Sequence, residues 1–160
     1  MMDQTLIDAF SEQVTMERQN QAGYHSLAVA MEKSGWRGMA EWMRRSAGDE
    51  GVHAQMFLEF LKTRSVFPTL DVLAAPPNAE GPVASFSTAL TLEKNTTDAI
   101  DTLYWLSNER EDPMAIEFLH WFVKEQRKSE DEIMDILNDL NHDRTAWTII
   151  DRELHEGGLK

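Results

Sequence analysis

Glu50 and His53 are three residues apart in a stretch whose apolar pattern is helical. At that spacing two side chains lie about 60° apart around a helix axis and one turn apart along it, so both can point at one metal ion. They share a stripe with Met39, Met43, Ser46, Phe57 and Phe60, whose alternating steps of four and three mark a face turned toward a core. A carboxylate and an imidazole are costly inside apolar packing unless something compensates them. A divalent cation does.

One such pair needs partners, and the other periodic segments supply them. Glu17 falls on the stripe of Ile7, Phe10, Val14, Gln21, Tyr24, Ala28 and Met31. Glu93 falls among Phe86, Leu90, Thr97, Ile100 and Tyr104, and Gln126 among Leu119, Val123, Glu130, Ile133, Leu137 and Leu140. Taken singly, each reads as an edge residue whose polar end reaches water, or as a hydrogen-bonded core histidine. Taken together they lie at similar depths along four helices and converge on one layer. Three carboxylates and an imidazole around a shared centre repel and are desolvated, and two divalent cations relieve both penalties. Oxygen donors with a single nitrogen and no sulfur suit iron or manganese, with zinc also open. A helix bundle of this kind can carry Glu-x-x-His on two helices. Here it occurs once, since the fourth helix has Gln126 and Ser129, so one metal position is expected to be rich in ligands and the other sparse.

The elements that must position these residues are four long helices, expected over about 4–34, 37–63, 83–111 and 113–140, with no sheet. The segment 63–82 holds Pro68, Pro76, Pro77, Gly81 and Pro82 and is expected to be an extended strap long enough to run the length of a bundle. Short links within each pair and one long strap between pairs describe an all-α bundle of two antiparallel hairpins joined by one crossover, a single domain over 1–160. A short fifth helix is expected over about 144–154. Its Trp147, Ile149, Ile150 and Leu154 either meet another subunit or fold back over the bundle end.

Composition narrows the function classes. With 42% hydrophobic and 27% charged residues the chain is an ordinary globular one. A formal net charge of −13 argues against the basic stripe that nucleic-acid binding needs and favours cations near any opening. No apolar run reaches a membrane span, and Met1, Met2, Asp3 and Gln4 do not open a signal peptide, so no membrane partner is expected. The absence of cysteine excludes disulfides and thiolate metal sites and suits a cytoplasmic setting.

The chain resembles the non-haem, bacterial-type ferritins over essentially its whole length. The resemblance is carried by Glu17 followed by Tyr24, by Arg44 and Arg45 ahead of Asp49, Glu50, Gly51, Val52 and His53, by Glu93, by the run from Phe118 to Gln126, and by Ile150 to Leu154. It implies a ferritin-like four-helix bundle with a short C-terminal helix and a homo-oligomeric cage of twenty-four subunits. It also implies a ferroxidase that oxidises Fe(II) with dioxygen at a dinuclear centre and stores ferric mineral. In that reading Glu17, Glu50 and His53 hold the first iron, Glu50 bridges, and Glu93 holds the second with Gln126 beside it. Tyr24 is an electron donor or a core aromatic, and Trp121 a second donor or a packing residue.

Two departures follow. Relatives of this type often have a third iron site; here Asp49 and Glu125 are the candidates, with Glu130 either substituting or, as the favoured reading, forming an exposed or interhelical salt bridge. Lys128 and Ser129 stand where acids are expected, so that site should be weak or absent. Haem-binding relatives use a methionine just after Glu50 and a second Glu-x-x-His; Gly51 and the missing second pair speak against haem. The rival readings are a metal-binding cage that oxidises slowly and a different di-iron oxidoreductase.

Overall fold

The computed structural model describes residues 1–155 and 157. Its elements are α1 (Gln4–Lys33), α2 (Arg37–Thr63), α3 (Gly81–Glu109), α4 (Pro113–His142) and α5 (Trp147–His155), the last entered through a short 3-10 turn, Arg144–Ala146. No strand occurs among the described residues. The architecture is the expected all-α four-helix bundle with one long crossover and a short C-terminal helix.

Three of the long helices end in the same way. Gly35, Ser65 and Glu111 take left-handed backbone angles, with φ of 85°, 58° and 51°. The next N–H turns back to the helix each time: Trp36 to the Met31 carbonyl, Val66 to Leu61 and Asp112 to Ser107. This closing motif satisfies carbonyls a helix end would leave bare. Asp112 then starts α4, accepting from the Ala115 N–H ahead of Pro113, whose missing N–H costs nothing in a first turn. Arg64 pairs with both Asp112 oxygens at 2.8 and 3.1 Å, tying the end of α2 to the start of α4. That guanidinium holds the Asp112 carboxyl below its ordinary pKa.

α1 packs along α2 and α3 along α4, whereas α2 and α4 meet chiefly through side chains. The strap from 64 to 80 lies along α1. Arg18 and Gln19 donate to the Asp71 and Ala74 carbonyls, and Ser26 to that of Pro77. Contacts advance in the same sense along the strap and α1, so α3 starts at the far end and runs down beside α1.

The fifth helix folds back on its own bundle. Ile150 and Leu154 are buried, Asp151 accepts from the Met39 N–H at 2.8 Å, and Arg45 donates to the Leu154 carbonyl. Asp151 thereby caps α2, whose own Trp36 supplies no capping side chain. Gly38 makes the approach possible, since a Cβ there would sit 1.7 Å from the Asp151 carbonyl oxygen. Ile149 remains exposed. No helix among the described residues is long and apolar enough to cross a membrane.

The core divides in two. One cluster gathers Tyr24, Leu27, Met31, Met39, Met43, Phe86, Ile133 and Leu137. The other gathers Leu6, Phe10, Val14, Phe57, Ile100, Leu119 and Phe122. Between them lies a buried polar layer containing Glu17, Asn20, Glu50, His53, Glu93, Thr96 and Gln126.

Candidate metal centre

Apolar clusters above and below leave the polar layer to find its partners mostly within itself. Glu17, Glu50 and His53 are 0%, 3% and 4% exposed, and their ligand atoms all lie within 4.8 Å of one another. His53 Nδ1 is 3.5 Å from Glu50 Oε1 and 3.7 Å from Glu17 Oε2. These distances allow attraction but are long for hydrogen bonds. Glu17 Oε2 and His53 Nδ1 accordingly have no hydrogen-bond partner although both are buried. The outer oxygens are anchored: Gln13 Nε2 donates to Glu17 Oε1 at 2.8 Å, and Asn20 Nδ2 to Glu50 Oε2 at 3.3 Å. Asn20 is itself held by Thr96 Oγ1 at 2.7 Å. Trp121 and Phe122 present ring edges to the His53 imidazole, at 5.5 and 5.6 Å between centroids.

Glu93 is differently placed. Tyr24 Oη donates to its Oε1 at 2.5 Å and Gln126 Nε2 to its Oε2 at 3.0 Å. It stands beside the trio but outside the tight group of three, and Gln126 is buried against it.

Electrostatics follow from burial. Burial pushes the Glu50 carboxyl well above its ordinary pKa, His53 pulls it partly back, and the Glu93 and Glu17 charges push it further up. Burial raises Glu93 despite the donors Tyr24 and Gln126. For His53, burial works against the imidazolium, but the facing Glu17 and Glu50 carboxylates outweigh it and bring the pKa up to about 10. Burial, then the Glu93 and Glu50 charges, put Tyr24 well above 10. In the metal-free state the proton on His53 is thus the cation of the trio. Hard oxygens, one imidazole and two unpartnered buried atoms are a donor set that fits a divalent ion such as Fe²⁺.

The layer opens through a cleft between α2 and α4 with about 50 Å³ of water-accessible space, room for ~three water-sized species. Asp49, Glu125, Lys128, Ser129 and Glu132 line its mouth with Tyr24, Glu50, His53 and Glu93 deeper in. Glu130 does not join them; its Oε2 accepts from Thr97 Oγ1 at 2.6 Å. Among the described residues, Asp49, Glu125 and Glu130 form no close group of the kind Glu17, Glu50 and His53 make.

A family model described as a ferritin-like domain matches residues 7–142. The chain belongs to the ferritin family. It is 25% identical over 158 residues to a bacterial non-heme ferritin of Staphylococcus saprophyticus, covering 96% of this chain and 95% of that one. To the bacterial non-heme ferritin of Bacteroides fragilis it is 26% identical over 131 residues, 81% and 82% of the two chains. Among solved structures, the open-pore ferritin of the archaeon Archaeoglobus fulgidus superposes with a TM-score of 0.92 at 26% identity, over 97% of this chain and 98% of that one. A closed form engineered from it superposes equally well, at 27% identity over 97% of each chain.

Gln13, Asn20 and Thr96 are the residues of this ferritin's polar layer that sequence reasoning passes over. A signal exists: each lies three or four positions from Glu17 or Glu93, on the same helix face. A polar residue one turn from a buried carboxylate is a candidate to anchor it.

Proposed function

We propose that this ferritin stores iron and is a ferroxidase acting on Fe(II) in the cytoplasm. The observation that carries the reading is the buried trio Glu17, Glu50 and His53, whose ligand atoms face one another with two of them unpartnered. The names of the non-heme ferritin relatives support iron as the ion.

Iron is the substrate. A first Fe²⁺ is received by Glu17 Oε2, Glu50 Oε1 and His53 Nδ1, and displaces the proton from the imidazole. A second is received by Glu93, with Glu50 shared between the two and Gln126 alongside. The electrons balance simply: each Fe²⁺ gives up one, dioxygen takes both, and two protons complete hydrogen peroxide. Carboxylate oxygens favour the ferric product because hard anionic donors gain most from the added charge. Tyr24, hydrogen-bonded to Glu93, stands beside the second position and is the residue the family resemblance offers as electron donor. Ferric ions then leave through the α2–α4 cleft, past Asp49, Glu125 and Glu132, and hydrolyse to mineral. Lys128 and Ser129 in that mouth make a strong third iron site there unfavourable. The sequence reading against haem stands as part of this proposal, as do the two-iron stoichiometry and the cage of twenty-four chains. The cage is supported by the close superposition on Archaeoglobus ferritin and by exposed apolar side chains such as Phe67 and Val72 on the strap.

The test is rapid mixing of the metal-free protein with stepwise Fe²⁺ in air. A fast phase saturating at two irons per chain is expected. No fast phase above the buffer blank would overturn the ferroxidase reading and leave a storage cage.

A further inference from the structure

Gln13 is 3% exposed and sits one turn before Glu17, which is fully buried. Its Nε2 donates to Glu17 Oε1 at 2.8 Å, the short distance of a hydrogen bond to a charged acceptor. The consequence lies at the other end of the carboxylate. With Oε1 turned to Gln13, the oxygen that Glu17 presents to the site is the unpartnered Oε2, which faces His53 Nδ1. A free carboxylate can take a metal ion with two oxygens or one and can rotate between the two modes. This one is held in one orientation before any ion arrives.

Gln13 also closes the back of the site. A groove of about 280 Å³ runs between α1 and α3 on the side away from the α2–α4 cleft, lined by Glu12, Met16, Asp98 and Thr102, with Gln13 in its wall. Removing the amide leaves Glu17 Oε1 without its donor and free to turn toward an ion.

We infer that Gln13 is a positioning residue that makes Glu17 a single-oxygen ligand and keeps the first-ion position short of a full coordination shell. Glu17 then occupies one coordination position of the first ion, and the position it does not take is left for dioxygen. The inference rests on the metal centre proposed above, and it adds an outer residue that governs how that centre binds.

The probe is Co²⁺ alone, titrated into the metal-free protein, with affinity and visible absorption read together. A low-coordinate Co²⁺ ion absorbs strongly and a six-coordinate one weakly. The parent is expected to take one tightly held Co²⁺ per chain with strong absorption. In Gln13→Leu, which keeps bulk but has no donor, absorption per bound ion at saturation should fall at least twofold and affinity should drop roughly 10–100-fold, the usual cost of losing an outer-shell partner. Helical circular dichroism and elution volume serve as fold controls. Should Gln13→Leu fail them, Gln13→Asn, whose amide is one methylene too short to reach, carries the same expectation. Parent-like absorption and affinity in a folded variant would overturn the inference and leave the metal centre standing. A parent chain that binds no Co²⁺ would overturn the centre, and the inference with it.

Discussion

The two halves of the polar layer are built from similar residues and rest in opposite states. On one side Glu17, Glu50 and His53 turn three ligand atoms toward each other and leave two of them without hydrogen bonds. On the other, Glu93 has both oxygens satisfied, by Tyr24 and by Gln126. Only a proton has to leave the first half when an ion enters. The second half must give up hydrogen bonds, each with a net value of about 0.5–1.5 kcal/mol. On the proposed reading the first half is therefore a preformed receptor, and the second is a resting network that an ion has to reopen. Under the proposed ferroxidase reading the oxidised product has to leave, and a weakly held second position fits that task better than two equal ones.

The comparison is broken most severely at His53. His53→Ala removes the only nitrogen donor of the trio, and the fast oxidation phase should fall by more than ~100-fold, beyond the usual cost of losing an outer-shell partner. Stopped-flow absorbance after Fe²⁺ mixing reads it, and an unchanged initial rate would remove His53 from the site. Glu93→Ala should separate the halves. One Co²⁺ or Fe²⁺ per chain still binds with parent affinity by calorimetry, while oxidation slows roughly 10–100-fold. Loss of the first ion as well would mean that the two halves are a single unit.

A gentler probe is pH. His53 carries its proton up to about pH 10 in the metal-free protein, because the facing carboxylates outweigh burial. An ion entering the trio at neutral pH therefore expels a proton, so the first-ion binding constant should rise about tenfold per pH unit from 6 to 8. Proton release measured in two buffers of different ionisation enthalpy checks this, and a flat profile would show that the imidazole is already neutral. The smallest effect is expected from Tyr24→Phe. It deletes the donor to Glu93 Oε1, so the second ion should bind roughly three- to tenfold more tightly, matching one ordinary hydrogen bond, while the metal-free protein melts a few degrees lower. Weaker second-ion binding would mean that Tyr24 holds Glu93 in its binding pose.

Much of the fold was legible because helical periodicity and chain punctuation are local properties. The stripe from Met39 to Phe60 is buried along α2, and Pro68, Pro76 and Pro77 lie where no helix continues until α3, whose first turn takes Gly81 and Pro82. The Glu50–His53 spacing places both side chains on one helix face wherever that helix goes. Less legible was the fate of α5, whose apolar residues could equally have met another chain. Its return onto α2 depends on Asp151 reaching the Met39 N–H across the space that Gly38 leaves open, a pairing 112 residues apart. Glu130 was equally ambiguous, since its stripe position does not tell the cleft from Thr97, and Thr97 is the partner it finds.

What the amino-acid sequence determined by itself is the inventory: four amphipathic helices, a proline-rich crossover, and acidic, imidazole and amide side chains set into apolar stripes. Burial of those stripes suffices to bring the polar positions into one layer, because apolar area is driven out of water without regard to direction. What only the tertiary structure decided is which atom of each carboxylate is taken. Glu17 and Glu93 are the same residue on equivalent faces, yet Gln13 leaves one oxygen of the first unpaired while Tyr24 and Gln126 claim both oxygens of the second. Hydrogen bonds have direction and range, so that choice depends on how the helices are rotated and spaced, which no stretch of chain contains alone.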